Sequence, residues 1–349
     1  MRIEAEAVLF RSFASDNNAP VAPEIMHAIA RENSGDAVGY GRDRTTARAI
    51  AAFKAHFGED TDVYFAFNGT GANVVALSCV VQPWESVLAP ASAHLQTDEC
   101  GAFERFTGCK VIPIETADGK LTAELLEPYV HPAEEEHHSK PRVVSISQST
   151  EYGGIYQPTE IRSLVGFARE HGLLVHVDGA RICNAAAALD TTPRAITKDL
   201  GVDILTFGGT KNGLMLGEAI CFFGSELPSI AAPFARKQGM QLASKMRYIS
   251  AQFEALLADD RWLGYAAHAN AMAARLVDRI RDVPGVRLTR EVRCNAIFAT
   301  MKRDALERLQ QKFFFYVFDE RLPEARWMTH WATTVADVDA FARAIREVA

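Results

Sequence analysis

The chain has 349 residues, 48% of them hydrophobic and 23% charged, with a formal net charge of −7. That length allows a large core and suggests two domains, and the composition is that of an ordinary globular protein. The acidic balance, with no lysine- and arginine-rich stripe, argues against a nucleic-acid-binding face.

From about residue 47 to 224, short β-rich runs alternate with helical patterns, as in a parallel sheet with crossover helices. The runs that read as strands are Val63–Phe67, Ser86–Ala89, Lys110–Ile114, Arg142–Ile146, Leu173–Asp178, Ile204–Phe207 and Ala219–Phe223. Between the first two, Asn68-Gly69-Thr70-Gly71 forms a glycine-bearing turn ahead of a helix, an arrangement whose backbone N–H groups can hold a phosphate. The helix before Leu173 has Thr159 as a possible cap, an apolar stripe of Ile161, Leu164, Val165 and Ala168, and Gly172 as its stop. After about residue 248 the rhythm changes to a long alanine-rich helical stretch. It is followed by strand-like Val286–Thr289, Ala296–Met301, Phe313–Phe318 and Arg326–Trp331, and by a final helix capped at Thr334. This order suits a smaller α+β domain, which divides the chain into a large domain of residues 17–247 and a small one formed by 1–16 and 248–349.

Two of the apolar runs end in a charge. Leu173–Asp178 delivers an aspartate and Ile204–Phe207 leads through Gly208-Gly209-Thr210 to Lys211. Both read as buried parallel strands with the charge at the carboxyl end of the sheet, where open α/β folds bind ligands. Pyridoxal 5'-phosphate (PLP) asks for this pair: a lysine to condense with its aldehyde and a carboxylate to keep its pyridinium nitrogen protonated. A lysine is ordinarily a solvated surface group, but one held at the end of an apolar strand can be desolvated and nucleophilic. His94 follows the strand Ser86–Ala89 and reads either as a residue closing a loop or as an imidazole that stacks on the pyridine ring and exchanges protons. Arg181 reads as a surface ion pair or, at this sheet edge, as a grip on a substrate carboxylate. The segment His131-Pro132-Ala133-Glu134-Glu135-Glu136-His137-His138 has metal-ligand chemistry without ligand spacing and reads as a solvated loop, so no metal is expected. Phe313-Phe314-Phe315-Tyr316 reads as a buried strand. The six cysteines show no CxxC pair and read as reduced and buried, hence a cytoplasmic protein. Met1–Glu6 lacks the apolar core of a signal peptide, and no run of ~18 apolar residues suggests a membrane span.

In order along nearly the whole chain, a set of motifs resembles the L-threonine aldolases, PLP enzymes of the aspartate-aminotransferase class (fold type I) that lie close to the β-eliminating lyases. The motifs are Ser15-Asp16, Gly35–Asp43, Asn68–Asn73, His94 with Glu99, Gly153-Gly154, His176–Arg181 with Asn184, Thr210-Lys211-Asn212-Gly213 and Arg326–His330. The resemblance implies an α/β fold with a mostly parallel seven-stranded sheet and a smaller C-terminal domain. It makes Lys211 the Schiff-base lysine, Asp178 the pyridine partner and His94 the stacking residue. Gly69, Thr70 and Gly71 would form part of the phosphate cup, and Thr150, Arg181 and Arg247 would complete the cofactor contacts. Ser15, Arg181 and Arg326 would hold the amino-acid carboxylate. Tyr40 and the stretch Arg236 to Arg247 would help build a neighbouring subunit's site in a homotetramer of paired dimers.

The chain also departs from the resemblance. Gln148-Ser149-Thr150-Glu151-Tyr152 replaces a longer segment with a histidine, so Glu151 stands where a catalytic histidine is often proposed. Asn212 replaces a glycine, and Met240–Ser244 replaces a glycine-rich run. The expected activity is retro-aldol cleavage of L-threonine, L-allo-threonine and related β-hydroxy-α-amino acids to glycine and an aldehyde. The alternatives are a β-eliminating lyase or aminotransferase on the same scaffold and, more distantly, a nucleotide-binding doubly wound protein. The last would need a glycine fingerprint after the first strand, which is not evident.

Overall fold

The two groups of strands form two separate sheets in the computed structural model, which describes residues 12–130, 136–224 and 229–349. The large sheet contains β1 (Thr61–Ala66), β2 (Glu85–Pro90), β3 (Lys110–Ile114), β4 (Lys140–Ser147), β5 (Leu174–Gly179), β6 (Ile204–Gly208) and β7 (Glu218–Phe223). Its order is β1-β7-β6-β5-β4-β2-β3. Neighbours from β3 to β6 pair in parallel, while β7 runs antiparallel to both β6 and β1. The expected mostly parallel seven-stranded sheet is therefore present. Helices cover both faces, which is why β6 and β7 are buried at every position and read as unbroken apolar runs.

One face packs on Phe53, Phe207 and Phe253, whose rings lie 5.4–6.5 Å apart. The other carries Ile220 and Phe222 against Val75 and Leu77 of the helix Gly69–Ser78. Each such side chain, fully buried, contributes roughly 1.5–3 kcal/mol. The helix before β5 spans Pro158–Glu170, and its cap differs from the expected Thr159. Gln157 is the N-cap and forms a reciprocal capping box with Glu160, because Pro158 occupies the first helical position, where it sacrifices no hydrogen bond.

The second sheet comprises β8 (Arg287–Leu288), β9 (Ala296–Thr300), β10 (Tyr316–Asp319) and β11 (Glu324–Met328) in the order β10-β11-β9-β8, antiparallel throughout. One face has its own cluster, in which Trp327, Phe315 and Phe341 pack with Phe13, whose ring stacks on Phe341 at 4.1 Å, while Ala296, Phe298 and Met328 join the core of the large sheet. All four strands are shorter than the expected runs, and for two of them the structure shows why. Phe314 bridges to Ser12 instead of joining β10, so within Phe313–Tyr316 only Phe315 is fully buried, and Phe314 and Tyr316 are exposed. Thr329 leaves β11 because its hydroxyl donates to the Ala269 carbonyl (2.7 Å), pulling the chain toward the helix Arg261–Ile280. Of the His131–His138 segment, residues 131–135 lie outside the described residues, and His137 and His138 are exposed. Five cysteines are buried and Cys100 is exposed; all six are free.

Candidate active site

The parallel register places Asp178 of β5 beside Thr206 of β6, and three residues after β6 the chain reaches Lys211. Lys211 stands where two cavities meet. The smaller, about 350 Å³, is lined by Asn68, Gly69, Thr70, Asp178, Thr206 and Glu218 among others, and the larger, about 780 Å³, by Ser15, Glu151, Arg181 and Arg326 among others. His94 and Asn17 line both. Burial, and then the nearby Arg181 charge, hold the Lys211 amine below its ordinary pKa, so its free base is more available for nucleophilic attack.

A hydrogen-bond network fixes the charges of the small cavity. Asn73 Nδ2 donates to both Asp178 Oδ2 and Glu99 Oε1 (2.9 Å each), and Asn73 Oδ1 accepts from the Thr206 hydroxyl (2.9 Å). Burial alone would raise the Asp178 pKa; Asn73, the Ala180 N–H (2.9 Å) and the Lys211 charge reverse this and keep it below the ordinary carboxylate value. Behind Asp178, burial pushes His176 down to about 4, so it is a neutral imidazole bonded to Ser145 Oγ (2.9 Å). Glu99 meets His94 Nδ1 at 2.9 Å. That bond raises the His94 pKa against the effect of burial and orients Nε2 as its free ring nitrogen.

In the large cavity Arg181 is already engaged. Its Nε and Nη2 grip buried Asp16 at 2.7 and 2.9 Å, and Asn295 Nδ2 also donates to Asp16 (3.1 Å). Against the cost of burial, Arg181 lowers the Asp16 pKa to about 2. Arg181 is thus both an ion pair and a cavity wall. Arg326, on β11, has a buried Nε without a hydrogen-bond partner, which leaves a partly buried guanidinium facing a cavity with room for an anion. Glu151 Oε1 accepts from the His94 backbone N–H (3.0 Å) and the Ser147 hydroxyl (2.6 Å), whereas its buried Oε2 has no partner; burial raises its pKa.

Other residues singled out from sequence lie elsewhere. Gly71 sits beneath Gln241: a Cβ there would lie 2.2 Å from Gln241 Cδ, and Gln241 Oε1 accepts the Phe67 N–H (2.9 Å). Thr150 is buried in a turn, its hydroxyl accepting the Gly154 N–H (3.0 Å). Tyr40 is 53% exposed beside Lys237, and Arg247 bonds the Gly35 carbonyl (3.1 Å); neither lines a cavity that holds Lys211. Asn73 and Glu218 were not among the expected site residues. Glu218 bears a mark related to that of Asp178 and Lys211, a charge at the border of an apolar run, here at its start. Asn73 is legible as a lone amide in the apolar stretch Ala72–Leu77.

The family described as beta-eliminating lyase matches residues 12–304. A low specificity L-threonine aldolase from a Pseudomonas species is 44% identical over 340 residues, covering 97% of this chain and 98% of that protein. Its counterpart from Pseudomonas aeruginosa is 42% identical with the same coverage. Among solved structures, a threonine aldolase from Leishmania major superposes with a TM-score of 0.90 at 32% identity, covering 97% of this chain and all of that one. An Escherichia coli aminotransferase shares the fold at a TM-score of 0.69 and 15% identity. The chain belongs to the beta-eliminating lyase family, among its L-threonine aldolases.

Proposed function

We propose that this protein is a PLP-dependent aldolase that cleaves L-threonine, L-allo-threonine and related β-hydroxy-α-amino acids to glycine and an aldehyde. The observation that carries the reading is Lys211 at the junction of a small cavity with an ionised carboxylate and a large cavity lined by Arg326, whose buried Nε has no hydrogen-bond partner. The donor chemistry suits PLP. Gly69 and Thr70 open a helix whose first N–H groups have no intrahelical partner, Asp178 is the acceptor for a pyridinium N–H, and His94 offers a ring to stack on. When bound, the cofactor supplies an aldehyde that condenses with an amine and a ring that withdraws electrons from the substrate's Cα.

The chain's own residues do the rest. Lys211 would hold the cofactor through its ε-amine, which burial keeps available as the free base. Arg326 and Ser15, with the remaining Arg181 donors, hold the α-carboxylate, and that grip selects which bond to Cα breaks. His94 Nε2, or a water it orders, takes the β-hydroxyl proton; the free Oε2 of Glu151 makes that carboxyl the second candidate. Gly71 belongs to the phosphate cup and Thr150 to the remaining cofactor contacts, and Tyr40 and Arg247 complete the site of a neighbouring subunit in a cytoplasmic homotetramer. The division into a large domain (17–247) and a small one (1–16 with 248–349) belongs to the same reading; what supports it is the second sheet's own cluster, although Phe253, past residue 247, packs on the large sheet.

The purified protein should show an absorbance band near ~420 nm, and borohydride should fix the cofactor on Lys211. Aldehyde should be released from both threonine epimers. A label on another lysine, or failure to reconstitute with PLP, would refute the reading; pyruvate or pyridoxamine phosphate as product would favour the lyase or aminotransferase alternative.

A further inference from the structure

Glu218 lines the small cavity with Lys211, Gly69 and Thr70, yet the chemistry above gives it no task. It opens β7, paired with Gly208 of β6 and Ala66 of β1. Since β7 runs antiparallel, its first residue lies at the carboxyl ends of β6 and β1, between the turn that carries Lys211 and the turn that starts the helix Gly69–Ser78. Alternation puts its side chain on the face of Ile220 and Phe222, which that helix covers. It is 7% exposed, and its Oε2 accepts the Gly209 N–H at 2.8 Å. The charges that bear on it are Lys211, from the turn after β6, and Asp178 on β5. From β1, the turn Phe67-Asn68-Gly69-Thr70 brings no charge, and Arg236, from the helix Ala232–Gln238, reaches the Phe65 carbonyl (3.4 Å) without lining the cavity.

A phosphate and a carboxylate in one small buried cavity cannot both ionise cheaply. We propose that Glu218 is the proton-carrying member of the cofactor's phosphate cup: protonated, it donates a hydrogen bond to the phosphate, and ionised, it repels it. This rests on the reading of the site as one for PLP. Burial brings the Glu218 carboxyl up to about 7, so the proton is present below neutrality and lost as pH rises through it. Cofactor hold should weaken over the same interval. Glutamine at 218 would keep an acceptor for the Gly209 N–H and a permanent donor for the phosphate, and would not titrate.

The test uses apoenzyme and pyridoxine 5'-phosphate, which lacks the aldehyde and so separates phosphate binding from condensation with Lys211. Between pH ~6 and ~8.5, wild-type affinity should fall roughly tenfold more than that of Glu218→Gln, since each pH unit above a required proton's pKa costs up to tenfold. Equal pH dependence in the two proteins would overturn the assignment. Should Glu218→Gln fail to fold, titration calorimetry of the wild type in two buffers at pH ~7.5 decides the matter: binding should take up protons, and zero uptake or net release overturns it. If PLP and its analogue both fail to bind at any pH, the assignment falls together with the reading of the site, a result distinct from binding that is insensitive to Glu218.

Discussion

His94 and Glu151 are one contact apart, and their hydrogen bonds suit them to different work. The His94 ring is anchored through Nδ1 by Glu99, which also raises its pKa and leaves Nε2 free toward the cavities. Glu151 uses one oxygen to hold the His94 backbone N–H and so sets the entry of the helical turn His94–Thr97. His94→Asn should reduce retro-aldol cleavage by at least ~10²-fold, the low end for loss of a general base, with glycine binding retained in spectral titration. Glu151→Gln should cost less, because the amide oxygen can still accept the His94 N–H. If the Glu151 variant proves the more damaged in cleavage, proton transfer belongs to that carboxyl, whose pKa burial already raises, and His94 is chiefly a stacking platform. The histidine, aspartate and lysine are legible in the sequence because each stands beside an apolar strand. The bond from Asn73 to Asp178 and the Asp16–Arg181 pair are not, since each joins residues more than 100 positions apart, brought together only by folding.

The start of the helix Gly69–Ser78 shows how an element adapts to a changed neighbour. Asn68 caps it, taking the Gly71 N–H at 2.8 Å, and the Gln241 side chain lies over Gly71 while accepting the Phe67 N–H. In an exposed helix Gly→Ala stabilises by roughly 0.5–1 kcal/mol. At position 71 the new methyl would displace the Gln241 amide and break its bond to Phe67, a loss of ~1 kcal/mol. Gly71→Ala should therefore be neutral to mildly destabilising in thermal unfolding, whereas in a Gln241→Ala background the same change should stabilise. A stabilising Gly71→Ala in the wild type would mean that Gln241 yields without cost. The strand–turn–helix pattern and the glycines are readable from the sequence, and so is the loss of a glycine-rich run at Met240–Ser244. That Gln241 fills the space over Gly71 is not readable, because nothing local to either segment points to the other.

On the whole molecule, exposed large apolar side chains occur at several places; Val38 (65% exposed) and Tyr40 (53%) lie together, and Phe234 (71%) and Met240 (71%) flank Arg236 in sequence. Val38, Tyr40, Arg236 and Leu242 border one surface cleft of about 590 Å³. In the proposed assembly a second copy covers this cleft and receives Tyr40 and Arg247 into its own site. The idea has a test that does not depend on measuring size. Lys211→Ala lacks the condensing amine, and Tyr40→Ala lacks the residue proposed to act across the interface, so each pure variant should be nearly inactive. In a hybrid dimer, one site combines both defects, while the other pairs the intact Lys211 of one chain with the intact Tyr40 of its neighbour. Random reassortment makes half of the dimers hybrids, each with one complete site of two, so co-refolded variants should regain about a quarter of wild-type activity. If Tyr40 acts within its own chain, every site in the mixture carries one of the two defects and no activity returns.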